Sequence, residues 1–124
     1  MKLLLDTNAL LWWRTGSSRL PARVSNQIGD PDNEIVVSIT SLWEIALKRG
    51  LGKLRFLEDF EEVMADEQFD LLSITYTHLR VLGDLPQHHR DPFDRLLISQ
   101  SVAERIPIIT NDRVFAAYGV AIVW

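Results

Sequence analysis

The sequence predicts an α/β protein, a three-layer α/β/α sandwich around a central, mostly parallel sheet. Three observations lead there. Short apolar, β-branched runs punctuate the chain, and between them apolar residues recur at helical spacing. Strands that alternate with helices in this way are joined by crossovers and so lie parallel, covered on both faces. Finally, Asp6, Glu44, Asp94 and Asp112 fall at or near the ends of expected elements, where an open parallel sheet gathers strand ends and helix starts into one crevice.

Each element has a local reason. Lys2 to Leu5 reads as a buried strand that turns at Asp6, and Asn8 begins a short helix carrying Ala9 to Trp13. Gly16, Ser17 and Ser18 interrupt it, and a second helix starts near Pro21, a residue suited to a first helical turn. The polar segment Gly29 to Asn33 leads into a strand at Ile35 to Ser38. Thr40 or Ser41 is expected to cap the next helix; with Ser41 as cap, Glu44 completes a capping box. Gly50 and Gly52 stop that helix, and Phe56 to Glu67 is expected to form another. A third strand at Leu71 to Ile74 precedes a helical Thr77 to Leu82. After the turn-prone Leu85 to Arg90, Asp91-Pro92 makes a helix start, with aspartate as cap and proline in the first turn. Phe93, Leu96, Leu97, Gln100 and Ala103 then recur at helical spacing. Ile106 to Thr110 is the fourth strand, Asp112 to Tyr118 a short helix and Val120 to Val123 the last strand.

The 124 residues suffice for one core, so a single domain spanning 1–124 is expected. A composition 47% hydrophobic and 24% charged excludes the disordered class. The absence of cysteine excludes a disulfide scaffold, a thiolate zinc site and a cysteine nucleophile, and it is compatible with a reducing, cytoplasmic setting. The opening MKLLLDTNALLWW lacks the length of a membrane span and the uninterrupted apolar stretch of a signal peptide. A net charge of -4 argues against a broad basic surface, but not against an enzyme that touches a few phosphates with the help of metal ions.

The four acids carry the chemistry. Two carboxylates 4 Å apart repel by roughly 4 kcal/mol at an effective dielectric of about 20. Without cations some of them must take up protons; a divalent ion lets all stay charged. Oxygen ligands of this kind suit Mg²⁺ or Mn²⁺, which can activate water and stabilise charge on a phosphodiester. Each acid also has a structural reading. Asp94, three residues after Asp91, and Glu44 can complete capping boxes, while Asp6 and Asp112 can serve as turn or N-cap residues.

Four blocks in order, LLLDTNALLW, SITSLWEIALKRGLGKL, DPFDRLLISQ and IPIITNDRVFAAYGV, resemble a PIN-domain protein, specifically the VapC-type toxin of toxin–antitoxin pairs. The resemblance covers nearly the whole chain. It implies Asp6, Glu44 and Asp94 as the central acidic metal ligands and catalytic residues, with Asp112 as the fourth. It implies an Mg²⁺-dependent endoribonuclease, with Mn²⁺ as the alternative ion, that hydrolyses RNA with metal-activated water to leave a 5′-phosphate and a 3′-hydroxyl. Asn8 matches the polar third residue of the opening motif and is expected to hydrogen-bond near Asp6; Thr110 and Asn111 match the polar residues before the fourth acid. It also implies a small cognate antitoxin that binds operator DNA, a toxin homodimer and no membrane association.

Arg90, Arg95 and Arg113 flank the expected site and are candidates for phosphate contact, or for salt bridges to Asp91, Asp94 or Asp112. Lys48 stands one helical turn after Glu44 and is expected to form an i,i+4 ion pair; Lys53 and Arg55 are rim charges. His88 and His89, adjacent in a proline-bearing loop, make a weak metal signature, and His78 sits in a separate helix, so no catalytic histidine is expected. Trp12, Trp13 and Trp43 are expected to serve the core or a dimer surface, and Trp124 to cap the last strand. A haloacid-dehalogenase-like phosphatase would need an aspartate where Asn8 stands. A non-catalytic PIN-like RNA- or protein-binding module would not need all four acids.

Overall fold

The computed structural model describes residues 1–124. Five strands, β1 (Lys2–Leu5), β2 (Glu34–Ser38), β3 (Asp70–Leu72), β4 (Ile108–Ile109) and β5 (Ile122–Val123), form one sheet in the order β3-β2-β1-β4-β5. Every neighbouring pair is parallel, so the sheet is wholly rather than mostly parallel. The register sets Leu5 beside Val37 on one side and Ile109 on the other.

Alternation along β1 divides the interior. Leu3 and Leu5 face one layer with Ile35, Val37 and Ile109, against α1 (Thr7–Thr15), α2 (Ala22–Gly29), α3 (Ile39–Gly50) and α4 (Phe60–Glu67). Leu4, Val36 and Ile108 face the other, where α6 (Pro92–Glu104) supplies Leu97 and Ile98 and a short 3₁₀ turn, Arg113–Tyr118, supplies Phe115. Helix α5 (Tyr76–Asp84) packs along α6. The result is the expected α/β/α sandwich. No helix is long and apolar enough to cross a membrane.

Several boundaries differ from those read in the sequence. Helix α1 starts at Thr7, one residue before the expected start at Asn8, because the carboxylate of Asp6 accepts from the Ala9 amide and caps it. Ser38, rather than Thr40 or Ser41, caps α3, its hydroxyl accepting from the Thr40 amide. Glu44 therefore lies in the second turn and completes no capping box. The helix expected from Phe56 begins only at Phe60, behind the cap Asp59. Arg49 donates to the carbonyls of Phe56 and Glu58, which are therefore held in an irregular segment. Asp91 caps α6 as expected, accepting from the amides of Phe93 and Asp94, and Pro92 opens its first turn.

Candidate metal centre

Beyond the carboxyl ends of β1 and β4 the strand order reverses direction, which in a parallel sheet opens a crevice. Asp6 follows β1 directly, and Asp112 stands past β4 as the cap of the 3₁₀ turn. Glu44 reaches in from the second turn of α3 and Asp94 from the first turn of α6. Together with Asp91, Thr7, Asn8, Lys48 and Asn111 they line a cleft of about 300 Å³ without a single apolar residue. A larger depression, about 420 Å³, lies between α2, α4 and β3, but its Glu67 is already engaged by Trp13 and Arg14.

The cleft holds more negative charge than its own cations balance. Asp6 is buried and its carboxyl is pushed up to about 6, chiefly by that burial; hydrogen bonds from Thr110 and the Ala9 amide pull it down, and Glu44 and Asp112 push it up. Asp94 is raised to about 7 by burial and then by Asp91, with His89 lowering it and Glu44 and Asp6 raising it further. Lys48 places its ammonium 2.5 Å from Glu44 Oε2, the expected i,i+4 pair, and this contact holds the lysine above its ordinary range. The other oxygen, Oε1, is buried with no partner. An unpartnered carboxylate oxygen inside a protein is unfavourable unless a cation approaches it.

His89 is the residue that sequence reasoning missed. Its Nε2 lies 2.7 Å from Asp112 Oδ2 and 3.2 Å from Asp94 Oδ2. Its Nδ1 accepts from the Asp91 amide, so the neutral ring carries its proton on Nε2 and donates it to Asp112. Ligand atoms of His89, Asp94 and Asp112 all lie within 4.8 Å of one another, close enough to share one ion. The available signal was position: His89 stands two residues before the cap of the helix that carries Asp94.

The remaining candidates divide. Asn8 and Asn111 line the cleft, although the backbone hydrogen bond to Asp6 comes from Ala9 rather than from Asn8. Thr110 is buried and supports both ends of the acid pair, bonding Asp6 and accepting from the Asp112 amide. Arg95 does not face the cleft; it donates to the carbonyls of Leu85 and Pro86 and to the Tyr118 hydroxyl. Because that hydroxyl also accepts from the amides of His88 and His89, Arg95 supports the loop that presents His89. Arg90 and Arg113 are exposed and lie outside the cleft lining. His88 packs edge-on against Tyr118.

A crevice of this construction, acids at the switch point of a parallel sheet with a histidine beside them, defines a class of α/β protein whose cleft has the residues to coordinate a divalent ion. The PIN domain family model matches residues 3–121, and the chain belongs to that family. A comparison with curated proteins found no match. Among solved structures the chain is similar to VapBC2 from Rickettsia felis bound to a promoter DNA fragment, at 18% identity, TM-score 0.74, covering 99% of this chain and 98% of the other. It is similar also to VapBC-1 from nontypeable Haemophilus influenzae (14% identity, TM-score 0.67, 99% and 97% covered). A toxin–antitoxin complex from Klebsiella pneumoniae matches at 20% identity and TM-score 0.64, with 98% and 96% covered. The PIN fold and the His–Asp cluster together support a metal-dependent, nuclease-like activity.

Proposed function

We propose that this chain is a divalent-metal-dependent endoribonuclease and the toxin of a VapC-type toxin–antitoxin pair. The observation that carries the reading is the apolar-free acidic cleft in which Glu44 Oε1 is buried without a partner. The donor set fits the ion: the carboxylates of Asp6, Glu44, Asp94 and Asp112 suit Mg²⁺ or Mn²⁺, and His89 Nε2 holds Asp112 in place from the side. When bound, the ion supplies Lewis-acid stabilisation of charge on the phosphodiester and lowers the pKa of water.

The chain's own residues do the rest. Asp6 and Asp94, pushed up to about 6 and about 7 by burial and by their acidic neighbours, would both be ionised beside a divalent ion, so all four carboxylates would be able to hold it. Lys48 sits on the cleft lining with its ammonium on Glu44, where it can also meet a phosphate oxygen. Asn8 and Asn111 bring neutral hydrogen-bonding groups to the same wall, suited to ribose or phosphate without adding repulsion. Outside the cleft, Trp43 and Leu47 on α3 and Leu51 just after it recur four residues apart and are exposed, a surface that suits a partner protein such as an antitoxin or a second copy.

Purified protein freed of any partner, incubated with labelled RNA and Mg²⁺ or Mn²⁺, is expected to cut it, and EDTA to stop the reaction. Asp6→Asn should remove cleavage while the circular dichroism spectrum stays that of the folded protein. Cleavage by Asp6→Asn at the wild-type rate would sink the assignment. RNA binding without cleavage would turn the reading toward a non-catalytic PIN-like module.

A further inference from the structure

We propose that Gln100 is a positioning residue for the acidic cleft: its side-chain amide pins α6 to the start of α3 and thereby sets the spacing of Asp94 and Glu44. The proposal rests on reading that cleft as the metal-dependent nuclease site. Gln100 is fully buried. Its Oε1 accepts from Ser38 Oγ at 2.5 Å and from Thr40 Oγ1 at 3.2 Å, both at the start of α3. Its Nε2 donates to the Ser73 carbonyl at 3.3 Å and lies 3.3 Å from Nδ1 of the buried His78. That nitrogen also accepts from the Thr75 amide, and the ring's other nitrogen faces Glu104 at 3.3 Å. Two acceptor and two donor positions of the amide are thus all engaged, and the amide can be placed in only one orientation.

The lever arms match. Gln100 follows Asp94 by six positions on α6, and Ser38 precedes Glu44 by six on the other helix. On each helix the pin therefore stands about 9 Å along the axis from the carboxylate. The core side chains of α3 and α6 nearby, Ile45, Leu97 and Ile98, are apolar, and apolar contact is non-directional. Sliding one helix by a residue would move its acid by about 1.5 Å and turn it by about 100°. Whenever Glu44 and Asp94 are both ionised they repel, and the amide, six positions away on each helix, resists their separation. Thr7 Oγ1, donating to Ser41 Oγ at 3.1 Å, gives the same service between α1, which Asp6 caps, and α3.

Gln100→Met keeps the length of the side chain and removes its hydrogen bonds. The chain has no cysteine, so spin labels can be placed at Leu47→Cys on α3 and Val102→Cys on α6, both exposed. In metal-free protein, Gln100→Met is expected to shift or broaden the label separation by about 1.5 Å, the rise of one residue. Mn²⁺ binding should weaken by about tenfold, within the range for outer-shell partners, and kcat should fall with KM little changed. Ile98→Val, chosen to lose comparable thermal stability on the same helix, should leave all three unchanged. Thr40→Val removes one arm, keeps the Ser38 cap and should give a smaller shift of the same kind, which reads the pin where Gln100→Met does not fold. An unchanged label separation in both pin variants, or an equal effect of Ile98→Val, overturns the proposal. If wild type binds no Mn²⁺, the nuclease reading fails instead, and the label separation still decides the pin.

Discussion

Two clusters of carboxylates stand on this protein and are neutralised in opposite ways. Beside α1, Glu58, Asp66 and Glu67 surround Arg14, whose guanidinium reaches all three at 2.8 to 2.9 Å. These contacts, Glu58 first, hold the arginine above its ordinary range, and Trp13 Nε1 donates to Glu67 as well. In the cleft, Asp6, Glu44, Asp91, Asp94 and Asp112 face one lysine and one histidine, and two of the five carboxyls are pushed up toward neutrality. A protein that needs only to hold its elements together supplies the cation covalently, as Arg14 does. One that leaves acids buried and underbalanced has a place for a cation from outside.

The largest test sets one cluster against the other. Asp94→Asn is expected to lower divalent-ion affinity and RNA cleavage by more than about a hundredfold, above the loss from an outer-shell partner. In EDTA near pH 8 the same variant should melt at a higher temperature than wild type, because a buried like charge is gone. Arg14→Met should do the reverse: a lower melting temperature, with cleavage unchanged at temperatures where it is folded. Paired melting curves and cleavage assays check both. Loss of cleavage in Arg14→Met together with full activity in Asp94→Asn would assign the clusters the wrong way round.

The pH dependence of stability makes a finer comparison. Asp6 and Asp94 titrate near 6 and 7 in the folded chain, against 3.8 when unperturbed. From about pH 4 up to about pH 6 for Asp6 and about pH 7 for Asp94, the unfolded chain has ionised the group while the folded one still holds its proton. Folded-state stability in EDTA is therefore expected to fall as pH rises through that window, by on the order of a few kcal/mol, and to level off above it. Saturating Mg²⁺ or Mn²⁺ should flatten the fall, and the difference between wild type and Asp94→Asn should isolate it from other groups. Urea denaturation at a series of pH values measures this; a wild-type-minus-variant difference that does not change across the window would contradict it.

Much of this arrangement was legible in the sequence, for reasons that can be named residue by residue. Asp91-Pro92 fixes its helix start locally, and the LLL before Asp6 is a strand wherever a sheet is available. Alternating strands and helices gave the layers and, through the crossover rule, the parallel sheet. What failed depended on distant partners. Ser38, Thr40 and Ser41 can all cap a helix; β2 runs as far as Ser38, and Gln100 approaches from 62 residues away. The apolar Phe56 and Leu57 extend a helical pattern, but the carbonyls nearby are taken by Arg49. His89 acquires its meaning only when the strand order brings Asp112 beside Asp94, and no local pattern states that order. Of the four acids' capping alternatives, Asp6 and Asp112 do cap, so the structural role and the cleft position coincide in the same side chains.

Lys48 sharpens the comparison at the smallest scale, because it is the cleft's own fragment of what Arg14 does elsewhere. Its ammonium covers one oxygen of Glu44 and leaves the other bare, and its side chain is 44% exposed. Such a half-solvated ion pair contributes on the order of 1 kcal/mol or less. Lys48→Met is therefore expected to lower stability slightly in EDTA, since Glu44 then has no cation at all. In the presence of Mn²⁺ the sign reverses: with the competing charge removed, the ion should bind up to roughly fivefold more tightly, the equivalent of about 1 kcal/mol. A Mn²⁺ titration followed by the electron paramagnetic resonance of the free ion resolves a change of that size. Weaker Mn²⁺ binding by Lys48→Met would mean that the ammonium orients Glu44 for the ion instead of competing with it.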